Sequence, residues 1–431
     1  MAEITNEQFT CILKQGCVPA LGCTEPIACA LACAKCAETL GHTPESIEVS
    51  VSGNIFKNGM GAGIPGTGMY GLPIASALGA ICGKSDYGLE VLKDVNEKNL
   101  PLGKKMLEDD KVKVSVKENA PDKLYAEAIC RYGEENAKVI IQHAHTNVIL
   151  VEKNGKVIFE KEVSEEQDCS KKETNLDDLQ LSMKSIYSYI ESVDYKDLHF
   201  LYEEIDMNKN ISKEGLDTEY GLQVGRTIHD SIKKGYLSKD LLNLCLARTT
   251  GASDARMDGC PLPVMTNSGS GNQGITVSMP VIAVAEHLNK SEEELLKALA
   301  LSNLTANHIH KGMGHLSALC GVIIAGIGAA SGITYLLGGK LDLIENTIKI
   351  MISNITGMMC DGAKQGCSLK VYSAVSAAVQ ASLASMNGVI CRNDGIVATD
   401  IEDTIRNIGL IGSEGMEKTD EVILDIMENK C

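Results

Sequence analysis

Apolar and polar residues alternate regularly in the first third of the chain. Ile47, Val49 and Val51 are separated by polar residues, which predicts a β-strand with one buried face. The segment from residue 138 to residue 162 is rich in β-branched residues, and Asn154-Gly155 within it predicts a two-residue hairpin turn. This part of the chain is therefore expected to contain a sheet.

Beyond residue 180 the apolar residues recur with the period of a helix. Glycine-rich stretches interrupt this periodicity at residues 250–275, 311–314 and 361–366. The two patterns together predict an α+β fold, in which a smaller N-terminal α/β region with a β-hairpin precedes a large, mainly helical region.

The sequence predicts three segments. A polar and charged stretch at residues 164–178 is typical of a linker. Residues 1–45 are expected to form helices that carry Cys23 and pack on the helical domain. Residues 46–165 would form an α+β domain, and residues 180–431 would form the helical domain.

Two helices are predicted within the first segment. The run from Thr5 to Gln8 fits a capping box at the start of the first helix. Pro26 suits the first position of the second helix, with Glu25 or Thr24 as its cap, and Gly41 would end that helix.

Composition and charge narrow the class of protein. The 431 residues are 44% apolar but only 4% aromatic, so a large core would have to be built from aliphatic side chains, Met and Cys. The net charge of −17 repels a phosphate backbone, which argues against nucleic-acid binding.

Two uncharged runs, residues 316–339 and 371–390, are long enough to span a membrane. Both are rich in Gly, Ala and Ser and lack strong flanking clusters of Lys or Arg, so buried helices of a protein without membrane segments are expected instead. Such helices would permit a homodimer. The sixteen cysteines and the absence of a secretion signal from the first ten residues predict a cytoplasmic protein with reduced thiols.

The run "GAGIPG" at residues 61–66 satisfies the pattern G-x-G-x-x-G, and Asp86 follows 25 residues after its first glycine. A dinucleotide-binding fingerprint needs these glycines directly between a strand and a helix. Here "NIFKNG" intervenes and Pro65 would interrupt a helix, so a tight glycine loop near a site is favoured over a cofactor role.

The stretch "PVMTNSGSGNQG" at residues 263–274 combines small hydroxyl and amide side chains with glycines. Such a loop can cradle a carboxylate or a phosphate, and spacing alone leaves an ordinary loop equally open. A pyridoxal-phosphate lyase would need a Schiff-base lysine upstream of this loop. Lys239 is the only lysine at a suitable distance, which counts against that cofactor.

Several cysteines are candidates for chemistry. Cys360 and Cys367 bracket the glycine-rich run "DGAKQG", which could turn both thiolates toward one iron–sulfur centre, whereas a lone cysteine on a helix, such as Cys320, is more often a packing residue. Spacing alone leaves cluster ligation and simple packing open. Cys23 precedes a predicted helix, whose free N–H groups would lower the pKa of the thiol, although the nearby Glu25 would oppose this effect.

Cys29, Cys33 and Cys36 lie at helical spacing along one face of the predicted second helix. Three thiols on one face could bind a metal ion, but a small apolar stripe is the more conservative interpretation.

Five motifs in this order, "GCTEP", "RTTGASDARMDG", "PVMTNSGSGNQG", "HIHKGMGHLSALCG" and "CDGAKQGC", resemble the L-cysteine desulfidase family, which is related to the alpha chain of iron–sulfur L-serine dehydratase. The resemblance covers nearly the whole chain. It implies that a [4Fe-4S] cluster is held by three cysteines with one iron left open. The matching residues are Cys320, Cys360 and Cys367.

The resemblance also implies that Cys23 accepts the substrate's α-proton, with His308 and His310 as rival bases. The substrate carboxylate would be held by the serine- and asparagine-rich loop, assisted by an arginine. The candidate residues are Thr266, Asn267, Ser268, Ser270, Asn272 and Arg256.

The implied reaction is β-elimination of L-cysteine to pyruvate, ammonia and hydrogen sulfide. The separate regulatory or beta portion of iron–sulfur serine dehydratases has no counterpart here, which favours cysteine and leaves L-serine open as the alternative. A pyridoxal-phosphate lyase and a non-enzymatic cluster carrier are the remaining hypotheses. Cys431, the last residue, is either a fourth cluster ligand on a flexible tail or an uninvolved thiol.

Overall fold

The computed structural model describes residues 4–161, 181–313 and 317–429 of the protein. Its helices are α1 (Asn6–Gly16), α2 (Thr24–Leu40), α3 (Gly53–Gly59), α4 (Leu72–Cys82), α5 (Leu100–Glu108), α6 (Met183–Ser192), α7 (Leu201–Asp217), α8 (Val224–Lys233), α9 (Leu241–Met257), α10 (Gly271–His287), α11 (Glu292–Lys311), α12 (Gly321–Leu336), α13 (Leu341–Asn354), α14 (Cys367–Met386), α15 (Ile401–Leu410) and α16 (Glu417–Glu428). Its strands are β1 (Pro19–Ala20), β2 (Ser46–Val51), β3 (Gly63–Ile64), β4 (Met69–Tyr70), β5 (Val112–Val116), β6 (Tyr125–Tyr132), β7 (Glu135–Gln142), β8 (Val148–Lys153), β9 (Lys156–Glu160) and β10 (Val264–Met265). The predicted α+β class is confirmed.

A six-stranded sheet in the order β5-β2-β6-β7-β8-β9 forms the N-terminal region. Strands β2 and β5 are parallel, and the other neighbours are antiparallel. Ile47, Val49 and Val51 are buried, as their alternation predicts, and Asn154-Gly155 joins β8 to β9 as the predicted hairpin turn. Helices α2 and α4 share a hydrophobic core with this sheet.

A second and larger core is formed by the helices from α6 onward. Helix α1 contributes Phe9 and Leu13 to this core, whereas α2 packs with the sheet. Helix α12, which corresponds to the first uncharged run, is buried within it, whereas α14, which corresponds to the second, buries one face and leaves Leu369, Tyr372 and Leu383 exposed. Of the helices in the described part of the chain, none combines the length and the apolar character that a membrane-spanning segment needs.

Of the two helices predicted in the first segment, one begins as predicted and the other does not. The capping box from Thr5 to Gln8 is present at α1, and α2 ends at Gly41 in the left-handed conformation, both as predicted. However, α2 begins at Thr24 with Cys23 as its N-cap, because Cys23 has extended backbone angles and Thr24 is already helical. Pro26 therefore lies in the first turn rather than at its first position, and the predicted cap was wrong.

The glycine-rich stretches contain more regular structure than the sequence predicts. Residues 53–59 form α3, and the "GAGIPG" loop includes β3, which pairs with β4. The break predicted from residue 250 begins only after Met257, because Gly251 lies inside α9 where α7 and α8 pack closely against it. A Cβ on Gly215 of α7 would lie 1.9 Å from the carbonyl oxygen of Gly251. The linker predicted at residues 164–178 lies outside the described residues.

Candidate active site

Pairing of two short strands brings two of the predicted site segments together. Strand β1 pairs with β10 in antiparallel fashion, with Pro19 opposite Met265 and Ala20 opposite Val264. Cys23 follows β1 and the serine- and asparagine-rich loop follows β10. Thr266 stabilises this strand pairing, since its Oγ1 donates a hydrogen bond to the carbonyl oxygen of Val18 over 2.8 Å. The two segments thus enter the site from the same small sheet.

The serine- and asparagine-rich loop turns back on itself before α10 begins. Ser268 and Gly269 both have positive φ angles, and the Ser270 side chain accepts a hydrogen bond from the backbone N–H of Gln273 as the N-cap of α10. Asn267 is fully buried below this turn, where its Nδ2 donates to Oδ1 of Asn303 over 2.9 Å. The turn therefore presents Ser268, Gly269 and Ser270 to the space in front of α10.

Backbone pairing places Cys320 beside Cys360. Leu319 and Met359 form an antiparallel β-bridge, in which the N–H of Cys320 donates to the carbonyl oxygen of Met358 and the N–H of Cys360 donates to that of Ala318. These hydrogen bonds are 2.8 and 2.6 Å long. Two cysteines that are forty residues apart in the sequence are thereby fixed side by side.

The third cysteine, Cys367, is the first residue of α14 and is buried. The loop between it and Cys360 lies against α3, where a Cβ on Gly362 would come within 2.1 Å of the Lys57 carbonyl oxygen. Gly362 has a φ of +98°, which also favours glycine. The glycines of this loop thus allow a close approach to α3.

All three cysteines line one cavity together with Cys23 and Arg256. Its volume is about 140 Å³, below the range of about 300 to 1,000 Å³ that is typical for drug-sized ligands, so it suits a small metabolite. The other lining residues are Thr24, Glu25, Asn58, His145, Ser268, Gly269, Ser270, Asn272, Gln273, His310, Met313, Ser317, Leu319, Gly321, Val322, Gly362 and Ala363.

Four helices direct their N-termini at this cavity. Cys23 is the N-cap of α2, Ser270 of α10 and Cys320 of α12, and Cys367 is the first residue of α14. The N-terminus of a helix carries partial positive charge and free N–H groups. The cavity is therefore suited to negatively charged groups.

Burial affects the pKa of the Cys23 thiol more strongly than the N-terminus of α2 does. Desolvation raises the pKa of the Cys23 thiol to about 11, although the Arg256 guanidinium opposes this rise. The sequence predicts a lowered pKa for the Cys23 thiol. That prediction is wrong, because the side chain is only 2% exposed. Glu25 and Cys367 raise the pKa further, so the thiol is the resting form near neutral pH.

The charge environment of Cys360 differs from that of Cys23. A hydrogen bond with Cys320 lowers the pKa of Cys360, and the backbone N–H of Gly362 and the ammonium groups of Lys57 and Lys370 act in the same direction. Lys57 is almost completely buried and forms an ion pair with Asp420 of α16. This wall of the cavity thus favours a thiolate.

Arg256 is buried, and no Asp or Glu in the described part of the chain forms an ion pair with it. Its Nη2 donates to the carbonyl oxygen of Gly22 over 2.9 Å, and its Nε has no acceptor among the described residues. The guanidinium packs on the first turn of α10, where a Cβ on Gly271 would lie 2.3 Å from Nε. A buried guanidinium that lines a cavity and has no carboxylate partner among the described residues is well placed to bind an anion.

The structure separates the predicted site residues into two groups. Cys23, Arg256, Ser268, Ser270, Asn272 and the three cysteines line the cavity, whereas Thr266 and Asn267 do not. The side chains of Thr266 and Asn267 form hydrogen bonds with Val18 and Asn303 instead, and so stabilise the loop.

The rival residues are separated in the same way. His310 lines the cavity, but His308 does not, and its Nε2 lies 2.7 Å from Oε2 of Glu402. Lys239 is exposed and lies outside the cavity. Cys29, Cys33 and Cys36 are buried in the core with the sheet, which agrees with an apolar stripe.

Sequence reasoning missed several lining residues from the N-terminal region. Glu25 was considered only as a cap and as a neighbour of Cys23, Asn58 comes from α3, and His145 follows β7. Nothing in their local sequence indicates a site, since they reach the cavity only through the packing of the sheet region against the helices. The glycine loop that the sequence predicts near a site, at residues 61–66, was an indirect signal of this packing. Gly61 packs against Ala363, and Gly63 packs against Asp258.

The thiols around the cavity fit an iron–sulfur cluster in donor type. Among the described residues, no three His, Cys, Asp or Glu side chains converge closely enough to hold a single metal ion. Cluster-ligating thiolates bind different iron atoms, so they are spaced more widely than the ligands of one ion. Three thiols on a shared cavity, facing helix N-termini, satisfy this chemistry. Cys431 lies outside the described residues.

Comparisons with known proteins indicate the family of this chain. Residues 86–425 match the family model described as "Serine dehydratase alpha chain". A UPF0597 protein of Oleidesulfovibrio alaskensis is 47% identical over 97% of both chains. A UPF0597 protein of Parabacteroides distasonis is 46% identical over the full length of both chains, and one of Chromobacterium violaceum is 45% identical over 98% of this chain and 97% of the relative. The chain therefore belongs to the serine dehydratase alpha chain family.

Proposed function

We propose that the protein is an iron–sulfur lyase that cleaves L-cysteine by β-elimination. The family to which it belongs is iron–sulfur dependent in general and indicates a lyase. The observation that carries the proposal is the shared cavity, which brings Cys320, Cys360 and Cys367 together with Cys23 and the unpaired Arg256. L-serine is the second candidate substrate.

The cluster would be held by Cys320, Cys360 and Cys367. When bound there, a [4Fe-4S] cluster with an open iron supplies a Lewis acid for the substrate's β-substituent. Lys57 and Lys370 favour the thiolate form of Cys360, and the first turns of α12 and α14 face the same space. The chain thus stabilises negative charge at Cys360, whereas the hydrogen bond with Cys360 raises the pKa of Cys320 and burial raises the pKa of Cys367.

Arg256 and the turn before α10 would bind the substrate's carboxylate. The guanidinium of Arg256 and the N-terminus of α10 lie at the same wall of the cavity, since Gly271 packs against Nε. Ser270 and Asn272 provide further polar groups there. Bound in this way, the amino acid has its α-carbon within the cavity that also contains Cys23 and His310.

Removal of the α-proton requires a base in the cavity. We assign this role to Cys23, with His310 as the alternative, because both line the cavity. Arg256 counteracts part of the effect of burial on the pKa of Cys23, and so favours the thiolate. Positioned bases contribute about 10²- to 10⁴-fold to rates.

The products follow from the electron flow. As the base removes the α-proton, the electron pair of the Cα–H bond forms the Cα–Cβ double bond. The Cβ–S bond breaks with release of hydrosulfide. The resulting aminoacrylate tautomerises to an imine, and water hydrolyses the imine to pyruvate and ammonia. One molecule of L-cysteine and one of water therefore give pyruvate, ammonia and hydrogen sulfide.

Anaerobic purification followed by iron and sulfide analysis tests the proposal. We expect about four irons and four inorganic sulfides per chain, and release of pyruvate and sulfide from L-cysteine. In the variant Cys360→Ser we expect loss of most of the iron and of the broad visible absorbance of the cluster. Cys391→Ser is the matched control, because Cys391 is only partly buried and lies outside the cavity.

The outcomes separate the candidate functions. Pyruvate from L-serine but not from L-cysteine would replace the desulfidase by a serine dehydratase. Iron retained in full by the Cys360→Ser variant would contradict the ligand assignment. A cluster that transfers readily to an apoprotein, with no pyruvate from either amino acid, would support a cluster carrier instead.

A further inference from the structure

Glu25 places a second unpaired charge at the cavity. Its side chain lines the cavity and is partly buried, in the first turn of α2. Among the described residues, no Lys, Arg or His forms an ion pair with it. A carboxylate without a cationic partner beside a cavity is available to a ligand.

Two polar side chains hold the Glu25 carboxylate in place. Asn58 Nδ2 donates a hydrogen bond to Oε1 over 3.2 Å, and Thr24 Oγ1 donates to Oε2 over 3.3 Å. Asn58 belongs to α3, so this contact also connects α2 to the helix that packs against the Cys360–Cys367 loop. Neither contact neutralises the charge.

Glu25 and Arg256 flank the same thiol with opposite charges. Both act on Cys23, the carboxylate raising its pKa and the guanidinium lowering it, although the two side chains are not ion-paired with each other. An α-amino acid carries an ammonium group and a carboxylate on one carbon atom. Two unpaired charges of opposite sign around Cys23 complement this arrangement.

We propose that Glu25 binds the α-ammonium group of the substrate and restricts the site to amino acids with a free amino group. The inference rests on the proposed function and adds the substrate class. The Glu25 carboxylate would accept hydrogen bonds from the ammonium, while Arg256 binds the carboxylate. Thiol acids without the amino group would lose one of these two contacts.

The test compares L-cysteine with 3-mercaptopropionate, which has the thiol and the carboxylate but no ammonium. In the Glu25→Gln variant of the anaerobically purified protein we expect KM for L-cysteine to rise about 10- to 100-fold, since hydrogen bonds to charged groups contribute about 1.5 to 3 kcal/mol. The inhibition constant of 3-mercaptopropionate should change less than about threefold. The Glu25→Asp variant, which keeps the charge, should recover part of the affinity for L-cysteine.

A role confined to the stability of α2 gives a different result. An acidic residue in the first turn of a helix stabilises that helix, so Glu25→Gln would then lower the thermal midpoint and leave both constants unchanged. That outcome overturns the inference, as does a parallel rise of both constants. Glu160→Gln on the exposed strand β9 is the matched control for loss of one negative charge.

Binding of L-alanine separates this inference from the proposed reaction. L-alanine has both charged groups but no leaving group, so calorimetry measures recognition without turnover. Glu25-dependent binding of L-alanine, in a protein that releases pyruvate from neither L-cysteine nor L-serine, would support the subsite while the proposed lyase activity fails. Turnover of L-cysteine with an unchanged KM in Glu25→Gln would reject the subsite alone.

Discussion

The Cys23 thiol is subject to opposing influences. Its position as the N-cap of α2 and the positive charge of Arg256 both favour a thiolate. Burial nevertheless raises the pKa of this thiol to about 11. Burial dominates because a charged sulfur atom has to give up its hydration. A proton held on Cys23 before the substrate binds is the consequence.

Replacement of Cys23 tests its role as the base. We expect Cys23→Ser to keep the iron content and to lower kcat by about 10²- to 10⁴-fold, because a serine hydroxyl is a far weaker base than a thiolate. Steady-state kinetics together with iron analysis would measure this. If His310→Gln causes the larger loss and Cys23→Ser remains fully active, the base is His310.

The roles of individual side chains were only partly predictable. A cysteine before a helix and an arginine in a glycine-rich segment are chemical signals that a sequence displays, and both side chains line the cavity. Thr266 and Asn267 carry the same hydroxyl and amide groups as Ser270 and Asn272, but the turn directs them to Val18 and Asn303. Only the backbone conformation around Ser268, with its positive φ, separates the two sets.

Helix α10 packs directly against Arg256, the residue that we propose to bind the substrate's carboxylate. Its first residue, Gly271, packs against the guanidinium of Arg256, and Gly274 in the same turn packs against the Met265 carbonyl oxygen. These glycines let α10 begin directly behind the β1–β10 pair. The N-terminus of the helix and the arginine therefore reach the cavity together.

A methyl group at Gly271 should displace Arg256. In Gly271→Ala the new Cβ would lie 2.3 Å from Nε and 2.8 Å from Cγ2 of Val264. We expect a loss of about 1 to 3 kcal/mol in unfolding free energy, measured by urea denaturation, and a higher KM for L-cysteine. Gly415→Ala is the matched control, because the nearest atoms to its Cβ are 3.8 Å away; equal KM values in the two variants would contradict the packing argument.

The helices and strands themselves were largely predictable, for local reasons. Alternation identified β2, Asn154-Gly155 identified the hairpin, and the capping box identified the start of α1. Glycine was the least reliable signal, since Gly251 serves close helix packing inside α9 rather than a break. A sequence does not state which glycines face another backbone, because that depends on tertiary packing.

Across the chain, the two cores meet at the cavity. Glu25 and Asn58 come from the sheet region, whereas Arg256 and the three cysteines proposed to hold the cluster come from the helical region. Sequence patterns predicted the two regions separately, but the contact between them depends on long-range packing that periodicity does not encode. This explains why the lining residues from the smaller region were missed.

The helical core contains a buried acid that should make stability depend on pH. Glu204 of α7 is fully buried, and desolvation raises its pKa to about 8, although Asn303 Nδ2 donates to both of its oxygens. The unfolded chain has a pKa near 4.5 for this group. Between these values the folded state binds the extra proton, so the contribution of Glu204 is complete below about pH 4.5 and is lost as the pH rises toward 8.

The variant Glu204→Gln should remove this dependence. For the unmodified protein, the contribution of Glu204 to the unfolding free energy falls by up to about 1.4 kcal/mol per pH unit between about pH 5 and pH 8. In the variant, urea denaturation at several pH values should show a clearly smaller fall. Glu160→Gln is the exposed control, and parallel profiles for Glu204→Gln and the unmodified protein would show that the buried carboxyl does not titrate in this range.

The order of synthesis limits when the cluster site is complete. Cys23 leaves the ribosome early, whereas Cys367, at the start of α14, is made after more than four-fifths of the chain. A nascent chain that ends before α14 has two of the three predicted thiols for the cluster and lacks the helix that carries the last one. Iron delivered during translation would therefore meet an incomplete site, and cells would have to supply the cluster to a nearly finished polypeptide.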